Sequence, residues 1–206
     1  MTNKKNAVLL LLNYWRVAPF AGLFSRGGGY SLIREDVNHW TACLGRDLGA
    51  PFIMQFSNIV MTCPEFRNLV DIRLSARGTV VRALFRLFFP LFSSLTIYTK
   101  SIGHRLFIQH GNGSVIAAKS IGDDCWINQQ VTIGFGFADG SPVIEDGARV
   151  CAGAKVIGDI IVGRNAIIGA NGVAVKNIPA GEVWGGVPAH KIGENTHPLS
   201  PDSVSI

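Results

Sequence analysis

Charge is scarce in this sequence, and the usual signs of a metal site or a disulfide framework are missing. Asp, Glu, Lys and Arg make up 16% of the 206 residues, against 48% hydrophobic. That balance excludes a largely disordered chain and is enough for a core. The four cysteines (Cys43, Cys63, Cys125 and Cys151) form no CxxC or metal-like pair. Buried free thiols in a reducing compartment are therefore expected, and no bound metal. A secretory signal is not expected either. Lys4 and Lys5 precede AVLLLL, but Asn13 and Arg16 interrupt the apolar run and no small-residue cleavage site follows. The apolar segment Val80–Tyr98 is broken by Arg82, Arg86 and Pro90. Its longest uncharged part falls short of the roughly 20 residues of a spanning helix. It reads as a kinked helix that packs on protein or lies on a membrane surface.

Charge is also unevenly placed. Up to residue 106 there are 13 Lys and Arg against 5 Asp and Glu; from 107 onward there are 6 against 9. The basic first half suits an anionic partner, or is simply a solvated face. No aromatic-basic motif supports nucleic acid as that partner.

The two halves differ in hydrophobic period. Ile33, Val37, Trp40, Leu44 and Leu48 recur at three and four residues, which predicts a helix capped by Ser31 and ended by Gly45 or Gly49. A short helix is expected over Pro64–Leu74, a hinge or loop at SRGGGY (Ser25–Tyr30), and residues 1–24 are ambiguous. From Ile102 the period becomes six. Aliphatic residues open hexads at Ile102, Ile108, Val115, Ile121, Ile127, Ile133, Ile144, Val150, Val156, Val162 and Ile168, with Ala174 a weaker last member. One residue is inserted before Val115 and about five before Ile144. The fifth position is often small (Cys125, Val131, Ala148, Ala154, Ala166, Gly172), and Gly103, Gly122, Gly134, Gly163 and Gly169 follow openers, where they are expected to supply corner backbone. A six-residue repeat is a solenoid signature, three hexads to a turn, so about four turns are expected.

Within this repeat His110 is the third residue of its hexad, in IQHGNGSVI. The matching positions on later turns are Gln129, Ala152 and Ala170. The arithmetic sets His110 and Gln129 side by side on one outer face, with a groove over the two alanines. An imidazole there suits a general base that takes a hydroxyl proton and later protonates a leaving thiolate. Gln129 can orient the ring or bind the acceptor. The alternatives are an exposed strand histidine and a side-chain ladder. Gly111 and Gly113 are candidate oxyanion donors, or only turn glycines. Lys176, His190 and Lys191 can meet phosphates, or are solvated charges. Three histidines converging on zinc are not expected: His104 and His110 fall on different faces, and no third histidine lies in the turns.

The pieces REDVNHW, CPEFRNLVDIRL, IQHGNGSVI, INQQVTIG and GGVPAHKI resemble those of the hexapeptide-repeat acyltransferases, and more closely the branch of serine O-acetyltransferases and bacterial polysaccharide O-acetyltransferases. The resemblance covers about residues 31–193. It implies a mainly β fold, a left-handed parallel β-helix behind a small α-helical domain. It also implies acetyl-CoA as donor, a hydroxyl acceptor, His110 as the base, and a cytoplasmic homotrimer with sites between subunits. Backbone near Gly134, Ala152 and Ala170 would hold the cofactor. Asp47 is a loose match to an acceptor-binding aspartate.

Two departures bear on the acceptor. Serine enzymes carry Asp directly before the base, where this chain has Gln109. They also carry an Arg-His pair in the long loop, which here reads FGFADGSPV (Phe135–Val143) with neither. A carboxylate would lack its clamp. Neutral groups such as Gln109, Asn112, Gln129 and Gln130 suit a glycan, and Phe135 and Phe137 can stack on a sugar or pack. The expected function is therefore O-acetylation of a carbohydrate hydroxyl, on a lipid-linked acceptor at the inner face of the membrane. Serine O-acetylation is the alternative. The expected organisation is a helical domain over 1–100, a β-helix over 101–193 and a tail over 194–206.

Overall fold

The structure is a computed structural model that describes residues 2–25, 30–136 and 140–197. Residues 26–29 of the expected hinge, 137–139 of the long loop and the tail beyond His197 lie outside the described residues. Contacts divide the chain into two compact units, with the boundary between Phe92 and Ser93.

The first unit is helical: α1 (Thr2–Ser25), α2 (Ser31–Cys43), α3 (Phe52–Thr62), α4 (Pro64–Ser75) and α5 (Thr79–Phe88). The apolar face read from the sequence is buried on α2 through Ile33, Val37 and Trp40. The helix ends at the first of the two expected stops, Gly45, short of the last apolar residue of that pattern. Gly45 takes a φ of +58°, so Leu48 lies beyond the end and is 57% exposed. Ser31 makes no capping bond; Tyr30 occupies the cap position. Pro64 opens α4 as expected, where a missing N–H costs nothing. The segment Val80–Tyr98 is not one kinked helix. α5 ends at Phe88, just before Pro90, and Leu95–Ile97 forms a strand of the second unit.

Two acids organise the helices. Asp36 on α2 and Arg73 on α4 form an enclosed pair with Nε–Oδ2 at 2.9 Å. Asp71 takes bidentate bonds from both Arg82 and Arg86 of α5. Burial alone would raise its pKa, but the bonds from Arg86 and Arg82 outweigh burial and hold it below its ordinary value. Among the described residues, no helix is long and apolar enough to cross a membrane.

The second unit is a parallel β-solenoid of about five turns with three strand faces. The first face stacks β1 (Leu95–Ile97), β3 (Ser114–Ile116), β6 (Thr132–Gly134), β9 (Lys155–Ile157) and β12 (Val173–Ala174). On the second, β4 (Ser120–Ile121), β7 (Val143–Ile144) and β10 (Ile161–Val162) are continued by single bridges at Ile102 and Ile178. The third stacks β2 (Phe107–Ile108), β5 (Trp126–Ile127), β8 (Arg149–Val150), β11 (Ile167–Ile168) and β13 (Glu182–Gly185), and β14 (His190–Glu194) adds an antiparallel edge. Strands at both ends, β1 and β13, lie outside the hexads and lengthen the expected stack. Openers such as Ile108, Ile127, Ile133 and Val150 are fully buried, and so are the small fifth residues Ala148, Ala154 and Ala166.

The repeat is offset at one place. Ile116, not Val115, pairs with Ile133 and points inward; it is 0% exposed and Val115 is 41% exposed. Two residues are therefore inserted before this opener, and the step on to Ile121 is one residue short. The opener glycines also act differently from expectation. Gly103, Gly122 and Gly163 are absent from the left-handed corners, which are held by Arg105, Asp124, Gly147 and Asn165 on one edge and Gly113, Gln130, Gly153 and Asn171 on another. Those opener glycines are needed for close approach: a Cβ on Gly122 would lie 2.6 Å from the Asp146 nitrogen.

All four cysteines are free. Burial pushes the Cys125 thiol up to about 12 and raises those of Cys63 and Cys151.

Candidate functional site

Between the third and first faces, later turns cross the corner in a fixed way. A left-handed residue donates its N–H to the carbonyl one level earlier: Gly153 to Gln129 at 2.9 Å and Asn171 to Ala152 at 2.9 Å. Gln130 donates in the same way, but to Asn112, at 2.8 Å. The residue stacked on Gln129 is therefore Asn112 and not His110. His110 and Gly111 are the two inserted residues. They form a bulge on the corner in which φ is +65° at His110 and +37° at Gly111, and the Asn112 N–H closes back on the His110 carbonyl.

The bulge is anchored from the level before it. Ser94 Oγ donates to Asn112 Oδ1 and accepts from the Gly113 N–H at 3.0 Å. The His110 ring is exposed, and among the described residues no side chain bonds it. Of the two expected oxyanion donors, the Gly113 N–H is thus committed to Ser94. Gln109 is committed as well: its Oε1 accepts from Asn128 Nδ2 at 2.8 Å and from Trp126 Nε1 at 3.3 Å. Gln129 Oε1 is enclosed and meets no donor. Sequence reasoning missed Ser94 because it sits beyond the hexads, in a segment read as helical.

Ala152 and Ala170 continue the same corner above Gln129 as small side chains, as the repeat arithmetic requires. Gly134 and Lys176 do not join them. Gly134 ends β6 and Lys176 follows β12, so both belong to the corner between the first and second faces. Beside Gly134 an open cleft of about 480 Å³ is lined by Tyr98, Ala117, Ala118, Phe135 and Ser141. His190 and Lys191 lie on β14. Lys191 Nζ is paired with Glu182 at 2.8 Å and with Glu194, bonds that raise its pKa, led by that from Glu182. Asp47 is in the helical unit, in the loop after α2, where its Oδ1 accepts the Gly49 N–H at 2.8 Å. Among the described residues, no group of three or more His, Cys, Asp or Glu could hold a metal ion.

No protein-family model matches the chain. A serine acetyltransferase of Mycobacterium tuberculosis (strain H37Rv) is 43% identical over 98 residues, 46% of this chain and 43% of that protein. A solved serine acetyltransferase from Brucella abortus strain S19 superposes with a TM-score of 0.61 at 26% identity, covering 80% of this chain and 68% of that one. The structure of a serine acetyltransferase from the same strain in complex with coenzyme A gives 0.59 at 27%, covering 80% and 67%. The chain is thus similar to serine acetyltransferases in sequence over 98 residues and in fold over most of its length. It spans under half the length of the curated relatives it matches.

These relatives overturn the expectation of a carbohydrate acceptor, since those named are serine acetyltransferases. Two of the four neutral groups meant to read a glycan are also used inside the corner: Gln109 on Trp126 and Asn128, and Asn112 on Ser94.

Proposed function

We propose that this protein transfers the acetyl group of acetyl-CoA to the side-chain hydroxyl of L-serine. The observation that carries the reading is the 43% identity over 98 residues to a serine acetyltransferase. The resemblance to a solved serine acetyltransferase in complex with coenzyme A supports the donor. The exposed imidazole of His110 on the corner bulge suits the chemistry. His110 takes the hydroxyl proton as the serine oxygen forms its bond to the thioester carbon. The tetrahedral intermediate then collapses, the C–S bond breaks, and the imidazolium returns the proton to the CoA thiolate. The products are O-acetylserine and CoA.

On this reading the small side chains of Ala152 and Ala170 leave room for the pantetheine arm. Lys176 and His190 are the cations offered to its phosphates, while Lys191 is already neutralised by Glu182 and Glu194. Because Gly134 and His110 lie on different corners of one solenoid, a complete site needs a neighbour, which is why we propose a homotrimer. Exposed apolar side chains beside Gly134, Tyr98 and Phe135, supply a surface for such packing.

The test is turnover of acetyl-CoA with L-serine, followed as CoA thiol release and as O-acetylserine by mass spectrometry. Serine-dependent release of thiol with matching product is expected. CoA binding without any serine-dependent turnover at saturating serine would overturn the reading.

A further inference from the structure

Neither α1 nor α5 contains an aspartate or a glutamate. The sequence has none before Glu35, and none between Asp71 and Asp123. These two helices also leave large apolar side chains in solvent. On α1 they are Val8, Leu11, Leu12 and Trp15, spaced by three and four residues along one stripe. On α5 they are Val80, Leu84 and Leu87, again on one face. Exposure runs from 45% at Leu84 to 75% at Leu11, more than scattered surface leucines require.

The two stripes meet. The Trp15 ring packs edge-on against Phe88 at 5.6 Å, and Phe88 lies one turn beyond Leu84 on α5. Arg16 fixes the same junction through its bond to the Phe88 carbonyl at 3.3 Å. The arginines of α5 lie away from this face, where Arg82 and Arg86 turn to Asp71. Arg77, exposed just ahead of α5, flanks it.

Charge decides what can cover such a face. Up to Phe92 the chain carries 11 Lys and Arg against 5 Asp and Glu. Two of those acids, Asp36 and Asp71, pair internally with three of the arginines, Arg73, Arg82 and Arg86, which leaves 8 Lys and Arg against 3 Asp and Glu. A second copy of this unit would bring the same excess of positive charge to the contact. An anionic lipid surface brings the opposite sign and also accepts the leucines and the tryptophan at its boundary.

We propose that the joined α1–α5 face docks on the surface of an anionic bilayer, with its apolar stripes seated among the lipid headgroups and neither helix crossing. The inference does not depend on the acetyl-transfer reading, and its test does not use activity. The full chain is spun with vesicles of phosphatidylglycerol mixed equally with phosphatidylcholine, and separately with vesicles of phosphatidylcholine alone. Binding is expected to the anionic vesicles only, and to fall as salt rises. The double variant Leu84→Glu, Leu87→Glu should weaken partitioning by about a hundredfold or more, each leucine contributing about tenfold or more. Both positions are exposed, so its thermal unfolding, read by circular dichroism, should match the parent. A variant with Arg77→Glu alone should bind the anionic vesicles more weakly than the parent. Failure to bind the anionic vesicles at low salt overturns the proposal. Equal binding to both vesicle types does so too, as does self-association through these leucines in place of vesicle binding.

Discussion

An imidazole at the head of a two-residue bulge is free to turn in a way that one locked into a strand ladder is not. His110 stands in that position with a left-handed backbone, +65° in φ, and no side-chain partner among the described residues. The residue type was legible from the sequence because a histidine before Gly-Asn-Gly stands out against the hexads. Its neighbours were not. Counting one inserted residue instead of two set His110 on Gln129, where Asn112 in fact lies. A one-residue slip is invisible in a run where Val115 and Ile116 are equally aliphatic, and only burial distinguishes them. Asparagine tolerates positive φ well, so His110→Asn keeps the bulge while removing the base. It is expected to lower acetyl transfer by about two to four orders of magnitude with CoA binding intact. Steady-state kinetics beside CoA titration calorimetry will check this; near-normal turnover would mean that another group takes the proton.

Among the elements, the solenoid strands were the most legible and the helices the least. A six-residue period that lasts eleven openers leaves little choice of fold, since each opener must point into the same narrow interior. α3 carried no such signal: Phe52–Thr62 is apolar enough to be read in several ways, and it is defined by what packs on it, such as Phe24 against Phe56. β1 was hidden for another reason. Its three residues follow Pro90 in a largely apolar segment, and only pairing with β3 shows it to be a strand. The offset at β3 can be tested directly. Ile116→Ala should cost about 2–5 kcal/mol, as a buried truncation does. Val115→Ala should cost about 0.5 kcal/mol or less, as a surface change does. Urea unfolding of the two variants separates the registers, and the reverse order of costs would restore Val115 as the inward residue.

For the molecule as a whole, the proposed function depends on what a single chain does not assemble. The base corner and the Gly134 corner lie on different edges of the prism, so catalysis on the proposed route needs more than one solenoid. Light scattering is expected to give a trimer or a multiple of three, with specific activity falling on dilution below the assembly range. A monomer that retains full specific activity would contradict this. The acceptor was misread from the sequence at this same scale. The loop Phe135–Val143 was judged by its own residues, which include no cation, although in the proposed trimer a shared site would draw its contacts from more than one loop.

The bulge has a consequence for how this protein can be lost or remade. Remove His110 and Gly111, and the distance from Ile108 to Ile116 becomes six residues, with Gly113 falling where Gln130 and Gly153 turn the later corners. The ladder from Asn112 to Gln130 would stand unchanged. On the proposed function, chemistry here is an interruption laid over a scaffold that closes without it. A lineage could then shed the reaction in one small deletion and keep an intact, folded rod, free to be recruited as a binding surface. Scaffolds of this kind can gain or lose an activity without passing through an unfolded ancestor.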